Sequence, residues 1–454
     1  MNGLSVGYAQ VNINPPLGID ISGYYVPRFA KGYLDELQAG ALALSHGATT
    51  VLLLSVDILG IDFDLSLQFR QGIADAAGIP VEHIFLSATH SHTAASLNDS
   101  TFPAENLQAV EQYIPFLGKR LCDAALLAIA DQKPAKMGYC VASAPDRIAY
   151  IRRYKMKDGS TMTCPPIDDP NIDHPIGTLD QRVNVLRFDQ DGGNSIVLVN
   201  YGIHCDTIGG ELLSADFPAW LRSTVEKALD GAKCLFFAGA QGDVGSTNVH
   251  PGGGDMNDTE ISFDNEMKSP GMARFVGRAL AGTVLQVYDK VSYVDVDRLA
   301  VLNKTANVPA NMPAPEDLPL AHKYRDLHEA GREDEIPYTA MELTTVVAEA
   351  LRMCKLEHGP EFFRLGLTAV AIGPVALVGF PGEPFTDIGV AVKEAPGWEL
   401  ILPCALTNGN EGYFPMQSAY DEGGYESRTS PYKAGIAELL IDNAKVLLDE
   451  LRAK

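Results

Sequence analysis

Cysteine is sparse and unpatterned in this chain. Seven are scattered from Cys122 to Cys404, none sits in a C-x-x-C pair, and the number is odd. Over a length of 454 residues, this argues against a disulfide framework or a C-x-x-C metal motif and predicts mostly buried thiols in a reducing compartment. Positive charge is also in short supply: 35 Lys and Arg stand against 58 Asp and Glu, a formal net charge of −23. Such a balance argues against nucleic acid as a partner and against stable membrane association; plain solubility accounts for most of it. No stretch approaches ~18 uninterrupted apolar residues, which excludes a transmembrane helix. The opening MNGLSVGYAQ has neither the basic nor the apolar region of a secretory leader, so the expected location is cytoplasmic unless a leader has been trimmed away. Internal repeats are absent, and no linker is long enough to mark a domain boundary. With hydrophobic residues at 46%, the chain is globular, and a single domain over 1–454 is expected.

What is present reads as strands alternating with helices. Residues 1–35 are rich in Gly, Pro and Tyr and are expected to be irregular. Ala39–Ser45 and Thr50–Val56 read as paired strands around a His46-Gly47 turn. Leu65–Ala77 has helical spacing, Ile84–Ser87 is a strand, and Val110–Asp131 is a long amphipathic helix. Residues 145–180 form a basic and then Pro/Asp-rich excursion. Strands resume at Val183–Phe188, Ser195–Tyr201 and Cys234–Ala238, with a helix over Phe217–Leu229. A Gly-rich loop, Gly239–Asp255, precedes a further helix within Asp264–Asp289. Residues 303–360 are charged and helically periodic, and read as a helical insertion. Strands return at Phe363–Ile372, Val375–Phe380 and Glu399–Leu406 before a terminal helix, Ala434–Leu451. The expected class is α/β with α+β character: layered mixed β-sheets flanked by helices.

Chemistry-bearing residues cluster where apolar runs end. The run Ile84–Leu86 leads into a His-x-His pair, His90 and His92, which share a face if the backbone stays extended. Four other runs follow the same grammar. Ser195–Tyr201 leads to His204 and Asp206, and Cys234–Ala238 to Asp243 and Ser246. Val375–Phe380 leads to Pro-Gly-Glu383-Pro, and Ile401–Leu406 to Asn408 and Tyr413. Ligands gather at strand ends in such sheets. Taken singly, each residue has an ordinary reading: His204 a capped core histidine, Glu383 a helix-starting acid, Tyr413 packing, Asp243 a turn cap. Taken together, two imidazoles, one carboxylate and a phenol suit a zinc ion with an open position for water. The other histidines lack such settings and read as surface residues.

These segments carry a resemblance. LSATHSHT (Leu86–Thr93), DRIAYIRRYKMKDG (Asp146–Gly159), NYGIHCDTIGGELLSADFPAWL (Asn200–Leu221), AGAQGDV (Ala238–Val244), FPGEPF (Phe380–Phe385) and NGNEGYFPMQSAYDEGGYE (Asn408–Glu426) lie in the order found in the neutral/alkaline non-lysosomal ceramidase family. The chain resembles a short bacterial-type homologue of its catalytic domain. The resemblance implies a mononuclear zinc amidase with His90, His204, Glu383 and Tyr413 as ligands and His92 beside the bound water as proton carrier. Two departures stand out. The family's Gly-Asp-Val/Ile-Ser-Pro-Asn loop reads here Gly242-Asp243-Val244-Gly245-Ser246-Thr247-Asn248, with the serine one position late. The family's C-terminal β-sandwich domain and secretion signal have no counterpart in the sequence.

The implied chemistry is zinc-assisted attack of water on an amide, with Arg152, Arg153 or the amides of the 242–248 loop facing the developing oxyanion. Asp206 or Asp57 would orient an imidazole, or serve as a turn residue. A small, soluble N-acyl compound is the expected substrate. The alternatives are an ester, lactone or carbohydrate-derived substrate at the same metal site, or a non-catalytic metal-binding protein.

Overall fold

The computed structural model describes residues 3–97, 107–251 and 268–454. Among them, nine strands form one sheet. Its main path runs Lys233–Ala238, Ser195–Tyr201, Arg182–Gln190, Lys133–Ser143, Ser5–Asn12, Gln38–His46, Thr49–Val56, Ile84–Ala88, and Ser292–Val294 pairs off Lys133–Ser143. A second sheet has four strands: Leu299–Pro309, Phe362–Ile372, Val375–Gly379 and Leu400–Cys404. Both are mixed. Parallel pairs occur at both ends of the large sheet and between the last two strands of the small one.

Three apolar layers hold the sheets and helices together. One face of the large sheet packs through Val56, Leu86, Val199 and Phe236 onto the helices Phe63–Ala77, Leu107–Ala130, Phe217–Ala228 and Pro270–Val287. Its other face meets the small sheet through Leu42, Leu44, Phe85, Phe237, Leu377 and Leu402. The small sheet's outer face buries Leu367 and Val378 against Ile388 of the helix Thr386–Lys393 and Leu440 and Leu447 of the helix Ile436–Arg452. Alternate residues of one strand thus feed two different layers, as the period of two demands. In Ile84–Ala88, Phe85 enters one and Leu86 the other.

The large sheet curls until its two edge strands meet. Ser55 Oγ, on the strand beside the edge strand Ile84–Ala88, donates across to Phe236 O at 2.5 Å. The segment after Leu400–Cys404 bridges the edges: Ala405 N donates to Ala238 O (2.9 Å) and Ala88 N to Leu406 O (3.2 Å). The ends of several strands therefore converge on one point.

Several sequence expectations need correction. Residues 1–35 are not irregular throughout, because Ser5–Asn12 is an interior strand in eight-residue register with Gln38–His46. Its Gly7 hides the strand signal, yet a Cβ there would lie 2.0 Å from Ala128 O in the covering helix. The start of the 303–360 segment is not helical. Residues 303–309 complete the strand Leu299–Pro309, an edge strand whose exposed positions hold the polar Asn303, Thr305 and Asn307. The helices run Leu318–Glu329 and Ala340–Leu356. The excursion 145–180 contains a small sheet of Arg153–Met156, Thr161–Thr163 and Ile172–Pro175. Residues 252–255 of the Gly-rich loop and 264–267 of the following segment lie outside the described residues.

Candidate metal centre and active site

His90 lies just past Ile84–Ala88 but not in extended backbone. Its φ is +69°, a region that non-glycine residues rarely occupy and that marks local strain. The turn is held by His90 N and Ser91 N, both donating to Ile58 O (3.0 and 3.2 Å). The two histidine rings do meet, with centroids 4.8 Å apart and edge to face. The turn brings them together rather than a shared strand face. His92 N donates to Cys205 O (3.0 Å), tying this motif to the one that carries His204. Glu383 begins a two-residue strand paired in parallel with Tyr413–Phe414, and Tyr413 is its register partner.

His90, His92 and His204 are buried, with ligand atoms all within 4.8 Å of one another. Each Nδ1 faces a backbone carbonyl: His90 on Leu59 O (2.7 Å), His204 on Gln241 O and Val244 O (2.9 Å each), His92 on Gly23 O (3.1 Å). A neutral imidazole in that setting carries its proton on Nδ1, which leaves the Nε2 lone pair pointing inward. The inward atoms crowd: His90 Nε2 and His92 Nε2 are 3.3 Å apart. Glu383 Oε2 lies 3.2 Å from His90 Nε2 and 3.0 Å from His204 Nε2, and it accepts no hydrogen bond. Of these four lone-pair atoms only His204 Nε2 has a counter-charge beside it, the Arg152 guanidinium at 3.2 Å; the others repel one another unless a cation sits among them. Tetrahedral donors on arms of 2.0–2.1 Å stand about 3.4 Å apart, so the spacing fits a small divalent ion.

The remaining polar groups surround this cluster. Arg152 places Nη1 3.2 Å from His204 Nε2 and donates from Nη2 to Gly242 O (2.7 Å). Its Nε lies 2.7 Å from Oε1 of the fully buried Glu426. Burial and then the neighbouring Arg152 charge pull the His204 imidazole down to about 4. The Tyr413 ring stacks near His204 with centroids 6.5 Å apart, and the Arg152 guanidinium lies 5.3 Å from its centroid. Burial and the Glu383 carboxylate push the Tyr413 phenol well above its ordinary value, with Arg152 opposing. The site therefore stabilises a phenolate only if a cation joins it. Asp206 stands 3.8 Å from His92 Nδ1 and takes hydrogen bonds from Tyr24 and Lys268. Gly23 is required here: its φ is +104°, and a Cβ would come within 2.6 Å of His92 Nδ1.

The sequence candidates thus divide. His90, His92, His204, Glu383, Tyr413 and Arg152 come together. Ser246 is buried and lines the same cavity as Arg152 and His204. Arg153 turns away, donating to Glu422 Oε2 and Gly423 O (3.0 Å each). Asp57 touches no imidazole; it forms a buried ion pair with Arg222 at 2.6 Å. Asp243 caps the helix Thr386–Lys393, accepting from Thr386 N and Oγ1 (2.8 Å each). Sequence reasoning missed Tyr24, Tyr25, Lys268, Tyr425 and Glu426. Glu426 was in plain view within the Asn408–Glu426 stretch, whereas Lys268 has no local signal.

No family model and no curated protein matches the sequence. Solved structures do. The crystal structure of neutral ceramidase from Pseudomonas aeruginosa aligns with a TM-score of 0.71 at 16% identity, covering 99% of this chain and 75% of that one. A structure of ceramidase complexed with C2 aligns with the same score and identity, covering 99% of this chain and 76% of that one. The likeness expected from scattered motifs is met along almost the whole backbone, and the chain has the neutral ceramidase fold.

Proposed function

We propose that this chain is a zinc-dependent hydrolase that cleaves an N-acyl amide bond in a soluble substrate. The observation that carries the reading is the set of inward Nε2 atoms, with every Nδ1 held by a carbonyl, packed against a carboxylate oxygen that accepts no hydrogen bond. Neutral imidazoles with one carboxylate are the donor set of catalytic zinc. His90, His204 and Glu383 would hold the ion, with Tyr413 alongside as the fourth protein ligand. When bound, zinc supplies Lewis acidity toward a carbonyl and water acidic enough to ionise near pH ~7.

The chain's own groups do the rest. His92 is the proton carrier because it differs from the other two imidazoles. Its side chain is 11% exposed against 4% for His90 and 2% for His204, and its acid, Asp206, stands on the Nδ1 side of the ring, whereas His90 and His204 meet Glu383 through Nε2. His92 takes the proton from attacking water and returns it to the leaving nitrogen, so that water is divided between an acid and an amine. Arg152, held by Glu426 and Gly242 O, offers a fixed positive charge to the developing oxyanion. Ser246 lines the space beside it.

The test is a panel of N-acyl amides, esters, lactones and glycosides, run with zinc-loaded and metal-free protein. Amide hydrolysis that disappears with the metal supports the proposal. Preference for an ester, lactone or glycoside redirects it to those substrates, and equal turnover without metal ends it.

A further inference from the structure

Two cavities meet at the candidate centre. The larger, about 500 Å³, is reached by Arg152 and His204; the smaller, about 340 Å³, by His90 and Glu383. His92, Tyr413, Tyr24, Tyr25 and Tyr425 line both. A bond held at this junction has one half of its molecule on each side. The two sides differ in character. Beyond the shared rings, the larger cavity has an apolar stretch of Val26, Tyr154, Val249, Met341, Leu343 and Val347 as well as polar groups at Asp206, Ser246, Thr247, Lys268, Glu333 and Thr344, whereas the smaller has Leu59 as its one aliphatic side chain beside Asn410, Gly412 and Thr429.

We infer that the larger cavity receives the acyl half of the substrate and that the helix Ala340–Leu356 is the wall that sets its greatest length. This rests on the amide reading proposed above. Met341, Leu343 and Val347 share one stretch of that helix, and Val347 and Leu343 also pack into the apolar core between it and Leu318–Glu329. The wall is therefore backed by a second helix. A growing acyl chain gains affinity by burying methylenes until it meets Leu343. At about 0.8 kcal/mol per methylene, each carbon strengthens binding about fourfold. The amine half is left to the smaller, more polar space.

Calorimetry on the zinc-loaded protein with straight-chain carboxylates, acetate through dodecanoate, tests this without turnover. The wild-type protein is expected to bind about fourfold tighter per carbon and then level off. Leu343→Ala should move the plateau to acids two or three carbons longer, with Met341→Ala as a second variant should the first not fold. Leu343→Trp should bring the plateau to shorter acids while leaving acetate within twofold. Asn410→Phe, which fills the smaller cavity, should leave the whole series within twofold. A series without chain-length dependence, a plateau unmoved in all three wall variants, or a tenfold loss in Asn410→Phe overturns the assignment. Because the probes are products, failure of amide hydrolysis with the plateau shifts intact counts against the amide reading alone.

Discussion

His90, His204 and Glu383 stand on backbone that the sheets leave no room to move, whereas Met341, Leu343 and Val347 stand on a helix that shares a small apolar core with Leu318–Glu329 and is tied beyond it by ion pairs and hydrogen bonds. Around the first group, Ile84, Phe85, Val197, Val199, Val375 and Leu377 are fully buried, and each imidazole is locked by a carbonyl. Around the second, Arg428 ties the helix Ala340–Leu356 through Glu342 (2.8 Å) and Glu349 (2.6 Å), and Arg352 donates to Asn311 O and Arg428 O. Close-packed interiors transmit strain and resist change, while partly exposed ion pairs contribute little stability. The reaction centre is thus built in the main core, where variation is most costly, and the wall that meets the acyl group on a smaller core, where it costs less.

The comparison breaks most sharply if the centre is not a metal site. His204→Ala should abolish bound zinc, read by elemental analysis, and reduce amide hydrolysis by about three orders of magnitude or more. Retained stoichiometric zinc with lost activity would demote His204 to the reaction alone. The pH dependence sharpens the same point. With the free His204 imidazole drawn down to about 4, protons compete for its Nε2 only below that pH, so zinc affinity should be steady from pH 7 to 5 and weaken only as the pH falls below about 4. Half-loss already at pH 6 would show that other ligands govern affinity.

Arg152→Ala comes next. It should keep its zinc and lose about 10²–10³ in kcat, the size of a missing oxyanion donor. Glu426→Gln acts one step further out. It preserves volume but removes the charge that orients Arg152, and a loss of about 10–100-fold is expected, with KM little changed. If Glu426→Gln fell further than Arg152→Ala, Glu426 would have a role of its own.

The same contrast explains what could be read in advance. The cradle of His90, His204, Glu383 and Tyr413 was legible because each of these residues follows an apolar run that reads as a buried strand, as with SIVLVNY before His204. The geometry that unites His90 and His92 was not, since a left-handed φ on a histidine has no sequence mark. Ser5–Asn12 was missed because its glycine and asparagine serve helix packing and turn formation rather than strand propensity. Arg153 could not be told from Arg152, because which neighbour faces the site depends on where the strand starts. The helices 318–356 were legible as helices, but their placement over the cavity rests on Arg428 and Arg352, partners distant in sequence that periodicity cannot supply.

Arg428→Ala is the smallest expected effect and bears most directly on how the wall is held. Arg428 is about one-third exposed, and each ion pair of this kind is worth roughly 0.2–1 kcal/mol, so global stability should fall by no more than about 1–2 kcal/mol. Zinc content and hydrolysis of an acetyl amide should be unchanged, since no group of the cradle contacts Glu342 or Glu349. What should change is selectivity. With Glu342 and Glu349 released, the helix Ala340–Leu356 keeps its apolar packing against Leu318–Glu329 but loses its clamp to Tyr425–Thr429. Longer acyl substrates should then gain relative to short ones by a few-fold in kcat/KM. If instead acetyl amide hydrolysis collapses, the clamp also holds Tyr425 and Glu426 in place for Arg152, and the wall and the centre act as one unit.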